Sequence, residues 1–123
     1  MNSYNGFTPA QRMKAFNWLK KEISMGNRDE KPSYCEVCSQ KEGVLMYHSE
    51  DYSEPYGDNI GAFGLCYVCH MMIHCRRNKK SWNSYKEYIG TGLMHKAFYK
   101  NDWNAFRGNI LLMKKYVWEM ANP

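Results

Sequence analysis

The chain has no long apolar run, and its central segment, residues 42–75, has no Lys or Arg. None of its apolar stretches approaches the roughly 20 residues that cross a bilayer, and its first residues lack the basic and apolar regions of an export signal. We therefore expect a cytoplasmic protein, in an intracellular and reducing compartment, without membrane partners. At 123 residues the chain suits one domain, whose modest core would be stabilised by a metal ion.

All Lys and Arg residues lie outside this central segment. Between Glu42 and Cys75 there is no Lys or Arg, although the net charge of the chain is +5. Five acidic residues lie in that interval, and ten basic residues against three acidic ones follow it. An acidic centre attracts cations, whereas a basic flank suits phosphate groups. This distribution is compatible with a metal site beside DNA, which is the partner that we expect.

Four of the five cysteines form two Cys-x-x-Cys pairs. Cys35 and Cys38 make the first pair, and Cys66 and Cys69 make the second. Two such pairs are a common ligand set for a tetrahedral structural zinc ion. The odd number of cysteines and the absence of an export signal argue against disulfides. The sequence therefore predicts that these four residues bind a structural Zn²⁺ ion. The remaining Cys75 is expected to be a small core residue and not a ligand.

Two histidines follow the second pair at a helical spacing. His70 and His74 lie in a segment from about 66 to 77 that has no proline or glycine, so both side chains would share one face of a helix. They can bind one metal ion while the cysteines bind another. We expect the third ligand to be His48, which follows a strand-like apolar run at 43–47. With a glycine-rich loop and a second short strand, these parts would form a ββα-metal unit.

Helices are predicted on both sides of this unit. Thr8 has the features of a helix N-cap, and Gly26 is a natural end for that helix. Ser81 and Asp102 are expected to cap two further helices, the second of which runs to about residue 117. We therefore predict a single α+β domain, 1–123, with an N-terminal helix and loop, a metal-bound core and C-terminal helices (1–33, 34–78 and 79–123).

The cysteine and histidine spacing resembles that of the HNH family of endonucleases, in its zinc-stapled branch with two Cys-x-x-Cys pairs. The matching parts are the first cysteine pair, the stretch 48–55, and the second pair with the two histidines that follow it. The resemblance covers about residues 34–78. It implies a zinc-stabilised ββα-metal core that hydrolyses phosphodiester bonds of DNA, in both strands or in one strand only. The reaction would use one divalent ion and a histidine as general base.

The residues around His48 depart from the family pattern, in which a metal ligand is followed directly by the base. If His48 is aligned with the second of these positions, it is the base. If the downstream Asp-Tyr-Ser-x-Pro sets the alignment, His48 is the ligand and Ser49 stands at the position of the base. Glu50 or Asp51 could then accept the proton or complete the metal shell. Gly61 occupies the position at which many family members have an asparagine.

These departures leave two functions open. In the first, the chain is an endonuclease in which His48, His70, His74 and Asp51 hold a second divalent ion, Mg²⁺, Mn²⁺, Ni²⁺ or Zn²⁺. Arg76 follows the helix directly and is expected to bind a phosphate group. The alternative is a non-catalytic zinc-binding module, derived from the same fold, that binds nucleic acid or protein.

Overall fold

The computed structural model describes residues 1–105 and 109–121, and the predicted α+β class is confirmed. The described part contains five α-helices and one sheet of two antiparallel strands. In chain order the elements are α1 (Pro9–Ser24), β1 (Leu45–His48), β2 (Phe63–Cys66), α2 (Tyr67–His74), α3 (Lys79–Gly90), α4 (Lys100–Ala105) and α5 (Ile110–Ala121). No helix of this part is long and apolar enough to cross a membrane.

Helix α1 begins where the sequence predicts. The Thr8 hydroxyl accepts a hydrogen bond from the Gln11 backbone N–H at 3.2 Å, and the Gln11 side chain accepts one from the Thr8 N–H at 2.8 Å. This reciprocal cap satisfies two N–H groups that a helix start otherwise leaves unpaired. The helix ends at Ser24, and Gly26 follows with a φ of +77°, a left-handed conformation that favours glycine.

One face of α1 packs on the loop between the two strands. Ala15 and Leu19 are buried against Ile60, and Tyr52 packs against the same small cluster. Burial of these apolar groups is the main force that holds an amphipathic helix in place. The contact fixes α1 beside the end of β1 at which His48 lies.

Strands β1 and β2 form a short hairpin with a long connection. Leu45 lies opposite Cys66, and His48 lies opposite Phe63. In a strand, alternate side chains point to opposite faces, so this register determines which face His48 occupies. The connection, 49–62, is irregular apart from a single 3₁₀ turn at Gly57–Asn59.

Helix α2 follows β2 without an intervening loop. The Sγ atom of Cys66 accepts a hydrogen bond from the Cys69 N–H at 3.5 Å and so caps the helix. The buried side chains of Val68 and Met72 belong to the main core. The N-cap and first turn of α2 therefore carry the second cysteine pair, and its later residues carry the two histidines.

The C-terminal helices differ from the prediction at their starts. Helix α3 begins at Lys79, and its cap is Asn78, whose side chain accepts the Ser81 N–H at 3.2 Å. The prediction that Ser81 is the cap is therefore wrong. The N–H group of Ser81 is itself bound by the side-chain oxygen of Asn78, so Ser81 lies in the first turn of the helix.

The single helix predicted from Asp102 is replaced by two. Asp102 lies inside α4, where its carboxylate accepts the Tyr99 N–H at 3.0 Å. Asn109 caps α5 through a hydrogen bond from the Leu112 N–H, also at 3.0 Å. A side chain that offers N–H groups an acceptor favours a new helix start over continuation of the old helix. Phe106 and Gly108, which the prediction placed inside one helix, lie outside the described residues.

The segment 93–99 lies against the hairpin and completes the core. Val44 donates a backbone hydrogen bond to the Phe98 carbonyl at 2.7 Å, and the Phe98 ring stacks on Tyr67 with centroids 4.1 Å apart. Gly43 lies so close to this segment that a Cβ atom there would be 2.4 Å from the Phe98 carbonyl oxygen. The close approach brings His95, far along the chain, next to Cys69 of the second cysteine pair.

Candidate metal centres

The four predicted cysteines come together in the core. Cys35, Cys38, Cys66 and Cys69 are buried thiols, and their Sγ atoms all lie within 4.8 Å of one another. The Sγ atoms of Cys38 and Cys66, from different pairs, are 3.7 Å apart. This cluster can hold a structural metal ion such as zinc. Cys75 lies outside this cluster, as predicted, but it is exposed, so the prediction that it is a core residue is wrong.

Each pair is shaped by its own backbone. The Cys38 N–H points at the Sγ atom of Cys35 at 3.5 Å, and the Cys69 N–H points at that of Cys66 at the same distance. A backbone N–H directed at a sulfur stabilises the thiolate form, which is the form that binds metal. The two Cys-x-x-Cys units therefore present their sulfurs in the same way, one from a loop and one from a helix start.

Thiol acidity within the cluster argues for a cation. Contacts with Cys35, Cys38 and Cys66, together with burial, raise the pKa of Cys69. By contrast, hydrogen bonds from Cys35 and Cys66 lower the pKa of Cys38. Four buried thiolates cannot ionise side by side unless a positive charge compensates them. A divalent ion with tetrahedral sulfur ligands meets this requirement, so the donor set fits zinc.

His95 adds a contact that the sequence did not indicate. Its ring is fully buried, with the Nδ1 atom 3.3 Å from the Sγ atom of Cys69. The ring stacks between Tyr85 and Tyr88, and the Gln40 side chain donates a hydrogen bond to the His95 carbonyl at 2.8 Å. In the sequence, no neighbouring residue continues a ligand spacing from His95, so the pattern indicates only an ordinary surface or core histidine. Only the return of segment 93–99 brings it to the sulfur.

The three predicted histidines form a second cluster. His48, His70 and His74 each place one ring nitrogen within 4.8 Å of the others. The Nε2 atoms of His70 and His74 are 3.0 Å apart, as two ligands about 2 Å from one ion would be. His48 is buried at the end of β1, whereas His74 is exposed. The cluster is thus closed on one side and open on the other.

His70 and His74 are suited to metal binding because their surroundings favour the neutral imidazole. Burial and the neighbouring His74 and His48 lower the pKa of His70 to about 3. Burial, followed by His48 and the Arg12 charge, also lowers the pKa of His74. A neutral imidazole has a free lone pair at pH 7, and metal binding requires that lone pair.

Glu50 connects this cluster to a charged network. Its Oε1 atom lies 3.1 Å from the Nε2 atom of His48 and accepts a hydrogen bond from Arg76 at 2.7 Å. Arg76 also reaches Oε2 at 3.2 Å, and the Tyr4 hydroxyl donates to Oε2 at 2.9 Å. Burial opposes ionisation of Glu50, but hydrogen bonds from His48, Arg76, Tyr4 and Asn5 outweigh it and lower the pKa to about 2. Glu50 is therefore an ionised carboxylate held in a fixed position.

The other two polar candidates have different partners. Ser49 is buried, and its Oγ atom accepts the Gly61 backbone N–H at 2.6 Å, which closes the loop between the strands. The exposed Asp51 carboxylate accepts hydrogen bonds from the Ser53 N–H at 2.9 Å and hydroxyl at 2.6 Å, and these lower its pKa. Asp51 does not belong to either cluster found among the described residues. Of Ser49, Glu50 and Asp51, Glu50 is therefore the residue that contacts a histidine of the second cluster.

Comparison of the chain with protein-family models, with curated proteins and with solved structures gives no match. Functional inference therefore depends on the two clusters and their surroundings.

Two residues near the N-terminus also reach the histidine cluster, and no motif in the sequence marked them. The Tyr4 hydroxyl lies 3.5 Å from the Nε2 atom of His48, and the Tyr4 ring centroid lies 5.2 Å from that of His74. Arg12, on α1, lines a cavity together with all three histidines. Their sequence positions, more than thirty residues before His48, gave no sign of this proximity.

Proposed function

We propose that this chain is a metal-dependent DNA endonuclease of the HNH type. The observation that carries the proposal is the convergence of His48, at a strand end, with His70 and His74, on one helix. Structural metal sites are closed by protein ligands, whereas catalytic sites keep a position open for water or substrate. The buried cysteine cluster fits the first description, and the partly exposed histidine cluster fits the second.

The chemistry of the histidine cluster suits phosphodiester hydrolysis. A bound divalent ion would stabilise negative charge on the phosphate and on the leaving oxygen. Among the ions considered, imidazole ligands favour Zn²⁺ and Ni²⁺, and a nearby carboxylate extends the range to Mn²⁺ and Mg²⁺. The strand register positions His48, and the rigid helix positions His70 and His74, so the ligands are held in place before the ion binds.

Glu50 is the group that we assign to proton removal from water. It contacts His48, and among the described residues Ser49 and Asp51 do not join the cluster. Its pKa of about 2 makes it a weak base at pH 7, because an efficient general base has a pKa near the working pH. We therefore expect slow cleavage, in keeping with a nicking enzyme. Displacement of Arg76 by substrate would raise the basicity of Glu50.

A non-catalytic binding module is the second candidate, and one observation favours it. Glu50 is already occupied by Arg76, Tyr4 and Asn5, so its carboxylate has few free positions for water or metal. A chain with this network intact would retain the zinc-stabilised fold and bind its partner without cutting it. The two candidates differ in metal content, since only the enzyme requires a second divalent ion.

Plasmid cleavage separates the candidates. Zinc-loaded protein is incubated with supercoiled plasmid and Mg²⁺, Mn²⁺, Ni²⁺ or Zn²⁺ in turn, and metal content is measured by mass spectrometry. An endonuclease converts the plasmid to nicked or linear forms and binds a second ion. The His70→Ala/His74→Ala double variant should lose both properties, whereas Cys75→Ser, at an exposed cysteine outside both clusters, should retain them. Equal cleavage by the double variant and the wild type would refute the site assignment.

A further inference from the structure

A cavity of about 440 Å³ lies between α1 and β1 and reaches the histidine cluster. Arg12 lines it on the side of α1, and His48 and His74 line it on the other side. Aliphatic and aromatic side chains, including those of Leu19, Phe16 and Tyr52, form much of the remaining wall. A concave site with apolar walls and a few converging polar groups is the usual form of a ligand pocket.

Arg12 is held in this wall by stacking instead of by a carboxylate. Its guanidinium carbon lies 5.3 Å from the Tyr4 ring centroid and 5.1 Å from the Tyr52 ring centroid. One terminal nitrogen donates to the Asn2 carbonyl, and the other lies 3.5 Å from the Tyr52 hydroxyl. The Nε atom is buried and has no hydrogen-bond partner. Because an arginine side chain has five N–H donors, this one retains unused capacity.

Arg12 and Arg76, the two arginines near the histidine cluster, differ in whether a carboxylate neutralises their charge. Arg76 forms a two-point ion pair with Glu50. Among residues 1–105 and 109–121, no carboxylate forms an ion pair with Arg12. A half-buried cation is normally paired, because partial loss of its water shell must be compensated. The compensating group for Arg12 is therefore absent from the described part of the protein, and a bound anion would supply it.

We propose that Arg12, and not Arg76, is the principal anion-binding side chain of the histidine site, and that its ligand is a phosphodiester group of DNA. This inference depends on the proposed function, since it names the residue that binds the substrate. An arginine fork matches the oxygens of a phosphate, and stacking on two tyrosines fixes the direction of the fork in advance. Arg12 thus takes the role that the sequence suggested for Arg76, whose charge Glu50 already compensates.

The first test measures DNA binding without cleavage. Zinc-loaded protein is titrated into a fluorescent DNA duplex by anisotropy at several salt concentrations, with no further divalent ion. Arg12→Gln should bind more weakly, and the slope of log Kobs against log salt should become shallower by about 0.9, the contribution of one phosphate contact. Arg12→Lys should keep most of the slope. Lys14→Gln removes an exposed charge from the same helix and is the matched control, with little change expected. Wild-type affinity and slope in folded Arg12→Gln would overturn the inference.

A second test needs no variant and applies even if Arg12→Gln fails to fold. Wild-type protein is treated with phenylglyoxal, which modifies arginine, and the modified residues are mapped by mass spectrometry. DNA should protect Arg12 and leave Arg28 unchanged, because Arg28 is engaged by the carbonyls of Ile60 and Gly61. Equal modification of Arg12 with and without DNA would overturn the inference. Equal protection by the same concentration of inorganic phosphate would overturn the assignment of DNA as the ligand.

The outcomes also separate this inference from the endonuclease proposal. Protection of Arg12 and a shallower slope for Arg12→Gln, without plasmid cleavage under any metal, would refute the enzyme and retain the anion site. Plasmid cleavage with unchanged DNA binding in Arg12→Gln would retain the enzyme and refute the role of Arg12. Failure of the wild type to bind DNA at low salt would overturn the inference, since a phosphate-dependent interaction is strongest there.

Discussion

The Nδ1 atom of His95 lies 3.3 Å from the Sγ atom of Cys69, although the two residues are 26 positions apart in the chain. This contact exists because segment 93–99 returns to the hairpin and is held there by the backbone hydrogen bond from Val44 to Phe98. A histidine N–H directed at a metal-bound thiolate reduces its negative charge and fixes its orientation. The cysteine cluster is thus supported by a residue outside the two Cys-x-x-Cys pairs.

Replacement of His95 by Phe should destabilise the protein and accelerate zinc loss. Phe retains a ring between Tyr85 and Tyr88 but has no hydrogen-bond donor for Cys69. A hydrogen bond to a charged group is worth about 1.5–3 kcal/mol, and a loss of that size is expected in urea denaturation. Zinc transfer to a coloured chelator should also become faster. Lys96→Gln, at the exposed next position, is the control, and equal zinc-transfer rates in both variants would argue against the contact.

Replacement of Cys69 by Ser should unfold the domain. The side chain is fully buried, and its sulfur is one of four in the cluster. Where a small fold depends on a structural zinc ion, the free energy of metal binding is also free energy of folding. Loss of the helical circular dichroism signal and of bound zinc is expected. Cys75→Ser should leave both signals at wild-type levels, and a folded, zinc-free Cys69→Ser protein would contradict this dependence.

Amide variants of two adjacent acids distinguish their roles. If Glu50 removes the proton from water, Glu50→Gln should lower the rate of plasmid cleavage by about two to four orders of magnitude. Asp51→Asn changes an exposed carboxylate whose hydrogen-bond partner within residues 1–105 and 109–121 is Ser53, so the rate should stay close to that of the wild type. Both rates are measured on supercoiled plasmid with the most active metal. The opposite ranking of the two variants would transfer the function to Asp51.

The imidazole of His70 should remain neutral well below pH 6.5. Burial and the adjacent histidines lower its pKa to about 3, whereas the unfolded chain takes up a proton near the ordinary value of 6.5. Because the unfolded state binds more protons between these values, His70 lowers the stability of the fold as the pH falls below 6.5. Nitrogen-15 NMR of protein with zinc at the cysteine cluster alone should show no titration of His70 between pH 8 and 5. A midpoint near 6.5 would contradict the burial of this ring.

Local signals in the sequence were sufficient to predict the hairpin, helix α2, the cysteine cluster and the three histidines of the second cluster, whereas Asp51, also predicted as a ligand, lies outside both clusters. A Cys-x-x-Cys spacing, a histidine pair four residues apart and a capping box act over a single turn, so they can be recognised without knowledge of the fold. The predicted helix starts were wrong where a second polar residue nearby could also cap the helix. Asn78 caps α3 in place of Ser81, and a new start at Asn109 divides the helix predicted from Asp102.

The sequence by itself determined which residues can bind metal, because ligand chemistry and helical spacing are properties of a short segment. Only the tertiary structure decided what surrounds them. Packing of α1 brings Arg12 and Tyr4 to the histidines, and the return of the chain at 93–99 brings His95 to Cys69. These contacts join residues separated by 26 to 70 positions, and no local pattern records them. They arise from burial of apolar surface, which acts on the whole chain at once.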